Sequence, residues 1–350
     1  MTQKPAAARA VEYGASSSTT ATTSRQDPSS GRHAMISKLG PARWIVHVSS
    51  TAPDGTENLG CSGICIHWNR EEKRARVLTS YRVVFCTFDD KLYDPTPKLA
   101  VHMPDMDISE ARLLFFDEKY ELALLEISVN TSYELELPSF GCSPCYGQEV
   151  FTLHRDKGLS FKLNHHTIAW LEEDQFLFLD RKLPNECAIG GGVINHNGDV
   201  IGMSTDDDLR NPPIISITTI LTCIEMWTIF GRIARPRLGM CFRTVELLDM
   251  GLMDELRYRY GIRNGFIVDE VILDSDAEKL GVRRGDVIVS FSGISSCYQP
   301  QFEDFLLSVG LDSLRGMRTV TAFKLEVHNL LQKVKRTITL PVQLSDPSEY

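Results

Sequence analysis

The sequence predicts a mainly β protein in which an all-β unit is followed by a smaller unit of mixed strands and helices. From Trp44 to Ile201 the chain consists mostly of short β-rich runs with turn residues between them, a pattern typical of an all-β barrel or sandwich. Within this stretch Asn197-Gly198 is a strong signal for a two-residue hairpin turn. After Gly231 helical and strand patterns alternate, which indicates an α+β unit.

The predicted strands of the first unit are apolar runs that end at turn residues. They span 44–50, 63–68, 75–80, 121–128, 149–154, 175–180 and the two arms of 193–204. The most apolar run of the chain, 214–230, carries Glu225 and is short for a bilayer span. We therefore expect a strand end followed by a buried helix there, and no membrane span.

The second unit is predicted to begin near Arg235-Pro236, because proline interrupts regular structure. Its predicted elements are a strand at 238–243, a helix at 245–260, a strand at 265–272, a short helix at 276–280, a strand at 287–293, a helix at 301–309 and a hairpin at 318–344. The sequence thus divides into a tail at 1–35, a first unit at 36–230 and a second unit at 231–345.

The tail at 1–35 is rich in Ala, Ser and Thr and has almost no large apolar residues. Such a segment cannot bury enough surface to offset the entropy lost on ordering, so a disordered tail is the favoured interpretation. The alternative is an organelle transit peptide, because the segment has few acidic residues and carries Arg9, Arg25 and Arg32.

The net charge and the cysteine content limit the partners and the cellular locations that we expect for this protein. The net charge of −9 argues against a nucleic-acid partner, because phosphate contacts need clustered basic residues. An odd number of irregularly spaced cysteines does not form a disulfide framework, so an intracellular reducing compartment is expected, with the cytoplasm or nucleus favoured. The sequon at Asn130 is then expected to carry no glycan. The nine cysteines are Cys61, Cys65, Cys86, Cys142, Cys145, Cys187, Cys223, Cys241 and Cys297.

Five stretches carry a family resemblance. In the first unit they read VLTSYRVV (77–84), ELALLEI (121–127) and CAIGGGVINHNGDVIGMS (187–204), and in the second unit RPRLGM (235–240) and DSDAEKLGVRRGDVIVSFSG (274–293). In this order they resemble the HtrA (Do-like) family of serine proteases, over roughly residues 40–345. The resemblance implies a trypsin-like double β-barrel domain followed by a PDZ domain.

The resemblance also places the catalytic triad on residues that cannot perform its chemistry. The general-base histidine falls on Arg82, whose guanidinium keeps its proton at any relevant pH. The orienting aspartate falls on Glu121, and the nucleophilic serine falls on Ile189, which has no nucleophilic atom. Loss of one triad member alone costs about 10⁴-fold in rate. We therefore expect a catalytically inactive homologue of a serine endopeptidase.

Two alternatives stay open at this point. The first is an active serine-type or thiol endopeptidase with rearranged residues, in which Cys187 replaces the serine and Arg82 lowers the thiol pKa. Such an enzyme needs a histidine as proton acceptor, and the sequence ties none to Cys187. The second is a holdase-type chaperone that binds unfolded segments in the empty cleft.

The Cys142-x-x-Cys145 pair permits two interpretations. It could supply half of a zinc site with Cys61 and Cys65, or it could be a loop with free thiols. No second well-spaced pair accompanies it, so free thiols are favoured and no cofactor is expected.

The resemblance of the second unit to a PDZ domain implies a groove that binds the C-terminal tails of partner proteins. Gly239 lets the backbone turn toward the ligand. The alternative is that the apolar residues only fill the core. HtrA-type assembly further implies homo-oligomers, or hetero-oligomers with HtrA-like paralogues. The residues predicted to bind the peptide are Arg237, Leu238, Gly239, Met240, Phe242, Phe305 and Val309.

Overall fold

The computed structural model describes most of both predicted units. The tail at 1–35 and the sequon at Asn130 lie outside the described residues. Within them, no helix has the length and apolar character needed to cross a membrane. The described ranges are 42–87, 89–129, 135–171, 175–206, 210–295, 297–317 and 320–345.

The first strands form a closed antiparallel barrel in the order β1-β2-β3-β8-β7-β6. Consecutive residues of β1, β3 and β8 are buried, and Ile45, Ile64, Leu78 and Leu124 are fully buried. A small hairpin of β4 and β5 lies outside the barrel. The strands are β1 Ile45–Thr51, β2 Glu57–Asn69, β3 Arg74–Ser80, β4 Phe85–Cys86, β5 Lys91–Leu92, β6 Lys98–His102, β7 Ile108–Asp117 and β8 Leu122–Ser128.

The next strands form a six-stranded antiparallel sheet in the order β10-β9-β12-β13-β14-β11. The predicted hairpin is present between β12 and β13, where Gly198 has φ +90°. The strand predicted at 175–180 is shorter than expected, because only Leu177 and Phe178 pair with β14. Beyond them the N–H of Leu179 donates to the carbonyl oxygen of Pro212, and that of Asp180 donates to the carbonyl oxygen of Thr167. The elements are β9 Glu149–Arg155, β10 Phe161–Thr167, β11 Leu177–Phe178, β12 Gly192–Ile194, β13 Val200–Ser204, β14 Pro213–Ser216 and helix α1 Ile217–Phe230.

The second unit is built on an antiparallel sheet in the order β16-β17-β18-β19-β20, so β16 is an edge strand. The helix predicted from 245 begins only at Met250, because the side chain of Asp249 caps it by accepting the N–H of Leu252. The elements are β15 Pro236–Arg237, β16 Met240–Thr244, α2 Met250–Tyr260, β17 Phe266–Val271, α3 Asp276–Lys279, β18 Val287–Phe291, α4 Gln299–Leu314, β19 Ala322–Asn329, β20 Val334–Pro341 and β21 Gln343–Leu344.

The two units pack directly against each other through helices α1 and α4. Leu307 and Leu311 of α4 belong to the same hydrophobic core as the buried residues of the first barrel. The segment that connects the two units passes over α4 at Gly310, where a Cβ atom would lie only 1.9 Å from the carbonyl oxygen of Ala234. Glycine at this position therefore allows the close contact between the helix and the connecting segment.

Candidate functional site: a cleft and a groove

Arg82 lies in the first unit, in a short 3-10 turn (Tyr81–Val83) that follows β3 directly. Its backbone N–H donates to the hydroxyl of Ser80 at 3.3 Å. Its Nη1 donates to Oδ1 of Asp206 at 3.1 Å, and only 14% of its side chain is exposed. The position assigned to a proton acceptor therefore holds a permanent donor that is paired with a carboxylate.

Glu121 lies at the turn between β7 and β8, with φ +51°. Its carbonyl oxygen accepts the N–H of Tyr81 at 3.3 Å. Burial raises the pKa of its carboxyl group, while a hydrogen bond with Thr205 and the charge of Arg82 act in the opposite direction. The structure thus places the charged groups of Arg82 and Glu121 near each other, together with that of Asp206, which no sequence pattern indicated.

Ile189 is fully buried and belongs to the core of the first unit. It follows a 3-10 turn at Glu186–Ala188, and its carbonyl oxygen accepts the N–H of Ser62 on β2 at 2.8 Å. Gly190 follows with φ +72°. This loop is therefore fixed to the first barrel by packing and by a backbone hydrogen bond.

The backbone N–H groups of this loop already have partners. In a trypsin-like enzyme, the N–H of the nucleophile and that of the residue two positions earlier bind the oxyanion. Here the N–H of Ile189 donates to the carbonyl oxygen of Glu186 at 3.0 Å. The N–H of Cys187 donates to Oδ1 of Asn185 at 3.1 Å. Neither donor is available to a developing negative charge in this conformation.

Cys187, the alternative nucleophile, lies in an unfavourable setting for thiolate chemistry. Its side chain is buried, and burial raises the pKa of its thiol. Glu186 raises this pKa further, and only Lys157 acts clearly in the opposite direction. The groups that act on this thiol pKa besides burial are Glu186, Lys157 and Asp156, and none of them is a histidine.

The cysteines considered for a zinc site lie in different environments. Cys61 and Cys65 are buried in the first barrel, whereas Cys142 and Cys145 are exposed. The described part of the chain has no group of three or more His, Cys, Asp or Glu side chains placed to hold a metal ion.

We expect the exposed and buried thiols to differ strongly in reactivity. Burial raises the pKa of Cys61 and of Cys65 to about 12, so both stay protonated at physiological pH. Iodoacetamide labelling of the folded protein, followed by mass spectrometry, should modify Cys142, Cys145 and Cys241 first. The same experiment in denaturant is the control, and rapid labelling of Cys61 in the folded protein would contradict the structure.

A groove of about 520 Å³ runs beside the edge strand β16 in the second unit. Of the residues predicted to bind a peptide, the structure places those from 237 to 242 along its wall. The turn depends on Gly239, which has φ +66° and approaches Ser275 so closely that a Cβ atom would lie 2.5 Å from the Cβ of Ser275. The predicted residues that line the groove are Arg237, Leu238, Gly239, Met240 and Phe242.

Two predicted peptide-binding residues, Phe305 and Val309, do not line this groove. Val309 is buried in the core of the second unit, and Phe305 packs against Phe302 and Phe323. The face of α4 that carries these two residues packs against the core, so the structure places them away from the groove lining. Phe302, one turn earlier on the same helix, lines the groove instead.

Several groove residues were not predicted. Ile272 and Leu273 follow β17 and are 54% and 80% exposed, so they form an apolar rim. Two adjacent apolar residues at the end of a predicted strand are a feature of the sequence that could have indicated this rim. Lys119 also lines the groove although it belongs to the first unit, and no local pattern could have indicated this contact.

A buried polar network joins the groove wall to the first unit. Arg235 donates from Nε and Nη2 to the two carboxylate oxygens of Glu303 at 2.6 and 2.7 Å. The hydroxyl of Tyr120, the residue before Glu121, donates to the same carboxylate at 2.6 Å. Burial would raise the pKa of the Glu303 carboxyl, but Arg235 holds it below its ordinary value.

The closed barrel followed by a six-stranded antiparallel sheet is the arrangement of a trypsin-like peptidase fold, and the trypsin-like peptidase domain family matches residues 61–203. DegQ, a periplasmic pH-dependent serine endoprotease of Escherichia coli, is 23% identical over 74% of this chain and 60% of its own length. A DegP-like periplasmic serine endoprotease of Marinomonas sp. is 23% identical over 59% of this chain and 45% of its own length. In sequence and in fold the chain is therefore similar to the HtrA (Do-like) serine endoproteases.

Solved structures establish the same fold over nearly the whole chain. The HtrA-type protease AlgW, solved with a tripeptide, has a TM-score of 0.60 at 17% identity, with 89% of this chain and 97% of AlgW covered. A serine endoprotease from Yersinia pestis has a TM-score of 0.54 at 18% identity, with 92% of this chain and all of that chain covered. The chain spans only about half the length of the curated relatives it matches.

The predicted location in the cytoplasm or nucleus is wrong, because these curated relatives are periplasmic endoproteases. The error came from treating unpaired cysteines as evidence for a reducing compartment. Cys61, Cys65 and Cys223 are fully buried and pack as small apolar side chains. Their unpaired state therefore says little about the redox conditions outside the protein.

Proposed function

We propose that this chain is a catalytically inactive HtrA-like protein whose second unit is a PDZ domain that binds the C-terminal tails of partner proteins. In this proposal residues 36–230 form the protease-like domain and residues 231–345 the PDZ domain. The observation that carries the proposal is the fully buried Ile189 at the position assigned to the nucleophilic serine.

The other groups that serine-protease catalysis needs are also missing, which supports inactivity as well. Serine-protease hydrolysis needs a nucleophile, a base and two N–H donors for the oxyanion. Arg82 stays protonated and is paired with Asp206, so it offers no base. The N–H groups of Cys187 and Ile189 are occupied within the loop. Each loss acts on the same reaction step, so the expected rate is that of the uncatalysed background.

The groove beside β16 supports peptide binding. PDZ domains add a partner's C-terminal segment as an extra strand at a sheet edge, and β16 is paired only with β17 in the sheet order. Ile272 and Leu273 offer apolar surface at the rim, which favours a hydrophobic C-terminal segment. AlgW, which has the same fold, was solved with a tripeptide and with a decapeptide.

We also propose an extracytoplasmic location, in keeping with the periplasmic relatives. Assembly with HtrA-like paralogues stays a prediction, and co-purification with an active relative would test it.

The purified protein is expected to leave casein intact and to remain unlabelled by a serine-directed fluorophosphonate probe. The physical reason is the absence of a nucleophile at position 189. The wild type is compared with Cys187→Ala, and a trypsin-like protease serves as the positive control for substrate and probe. Casein cleavage that is lost in Cys187→Ala would contradict inactivity and identify a thiol nucleophile.

Peptide binding is tested separately with fluorescent peptides that end in an apolar residue and a free carboxylate. Leu273→Asp should weaken binding at least about tenfold, because it replaces an exposed apolar contact with a charge near the peptide. Met106→Asp is the matched control, since Met106 is 76% exposed but lies in the turn between β6 and β7 of the first unit. Equal affinity for an amidated peptide would contradict recognition of the C-terminal carboxylate.

A further inference from the structure

A second cavity in the second unit shares no lining residue with the groove beside β16. It has a volume of about 500 Å³ and lies between helix α2, the turn at 283–286 and the hairpin tip at 329–332. Pockets that bind small ligands have volumes of about 300–1,000 Å³, apolar walls and a few placed polar groups. The size of this cavity is therefore suited to a small ligand.

The inner wall of this cavity is apolar. Leu256 is buried there, and Tyr260, Ile267 and Leu330 are partly buried around it. Leu252 and Leu331 are 42% and 94% exposed at its mouth, so they leave apolar surface in contact with water. A ligand that covers these side chains would gain about 25 cal/mol for each Å² of apolar surface removed from water.

The charges at the mouth are unbalanced in favour of cations. The two carboxylates of the wall are neutralised, because Glu255 pairs with Arg259 at 2.9 Å and Asp286 pairs with Arg336 at 3.0 Å. The exposed Arg284 and its neighbour Arg283 have no such pairing. Among the described residues, neither of their guanidinium groups forms an ion pair. The Arg283 guanidinium donates to the backbone carbonyls of Glu278 and Val282, and the Arg283 backbone N–H donates to Oδ2 of Asp286 at 3.1 Å.

We propose that this cavity binds the monomeric anion of an amphipathic carboxylic acid, with its chain on the apolar wall and its carboxylate at Arg283 and Arg284. Adjacent guanidinium groups match a carboxylate through paired N–H donors. The apolar surface is concave, which suits a single chain and does not suit a flat bilayer. The walls are a helix, a turn and a hairpin tip with no edge strand, so a peptide has no ladder to extend.

The probe for this proposal is dodecanoate below its micelle concentration, measured by isothermal titration calorimetry on the full chain. Wild-type protein is expected to bind one dodecanoate saturably, and dodecanol should bind at least about tenfold more weakly, because a charge-assisted pair is lost. Arg284→Ala should weaken dodecanoate binding about tenfold, and Arg284→Lys should recover most of the loss. Arg112→Ala is the matched control, because Arg112 is an exposed arginine of the first barrel.

The apolar contribution is tested with Leu252→Glu, which should also weaken binding at least about tenfold. This residue is 42% exposed, so the variant is expected to fold, and its thermal unfolding is recorded beside the titration. Absence of saturable dodecanoate binding to the wild type would overturn the proposal. Equal binding of dodecanol and dodecanoate, or binding to anionic lipid vesicles without binding of the monomer, would overturn it as well.

Discussion

Replacing Glu303 with alanine is expected to lower the free energy of unfolding by about 3–5 kcal/mol, the cost of removing one partner from a buried ion pair. The carboxylate accepts two hydrogen bonds from Arg235 and one from Tyr120, and only 4% of the residue is exposed. Its removal leaves the Arg235 guanidinium without its buried counter-charge. Urea unfolding monitored by tryptophan fluorescence measures the change.

The matched control for this variant is Glu255→Ala. Glu255 also pairs with an arginine, Arg259, but 49% of its side chain is exposed. Exposed pairs contribute about 0–1 kcal/mol, so this variant should be nearly as stable as the wild type. Equal losses in the two variants would show that the buried Glu303 pair stabilises the protein no more than an exposed pair does.

The same network predicts a pH dependence. The pKa of Glu303 in the folded protein lies below its ordinary value of 4.5. Its contribution to stability is therefore present above 4.5 and is lost as the pH falls through the folded-state pKa. Glu303→Gln should lack this component, so the stabilities of variant and wild type should converge in acid.

Replacing Gly190 with valine is expected to destabilise the protein by at least about 3 kcal/mol. The backbone at Gly190 has φ +72°, which costs other residues about 1–2 kcal/mol. A Cβ atom would also lie 2.2 Å from the carbonyl oxygen of Ser62, which already accepts a hydrogen bond from Thr79. Overpacking of this kind adds about 1–3 kcal/mol. Chemical denaturation followed by circular dichroism measures the loss.

Gly55→Val separates the two causes. Gly55 has φ +92°, but no atom lies within 4 Å of an added Cβ. This control should therefore show only the conformational cost. If Gly190→Val were no less stable than Gly55→Val, the loop at 187–192 would not be fixed against the first barrel.

Much of the fold could be predicted because its strands have apolar sequences and clear ends. The Asn197-Gly198 turn and the long apolar run before Phe230 both had the predicted outcome. Strands β7 and β10 were missed because polar residues interrupt them, such as Glu110 in β7 and Asn164 in β10. Half-exposed strands bury only part of their side chains, so their sequences resemble loops.

The site was predictable only where it depends on local sequence. The turn at Gly239 was predicted because glycine adopts positive φ angles readily, and this preference depends only on a few neighbouring residues. The pairing of Arg82 with Asp206 joins residues 124 positions apart, and no local pattern specifies such a contact. The orientation of Phe305 and Val309 depends on how α4 packs between two cores, which periodicity alone does not decide.

The shared core at Leu307 and Leu311 has a consequence for how a bound partner is presented. A module on a flexible linker samples many positions, and its local concentration at another site then depends on linker length. Here the second unit contributes part of the first unit's core, so no linker sets that distance. A segment that occupies the groove, as proposed above, would meet Lys119 of the first unit in a fixed geometry. Lengthening the connection near Gly231 would therefore not extend the reach of a bound partner, unless the core itself opened.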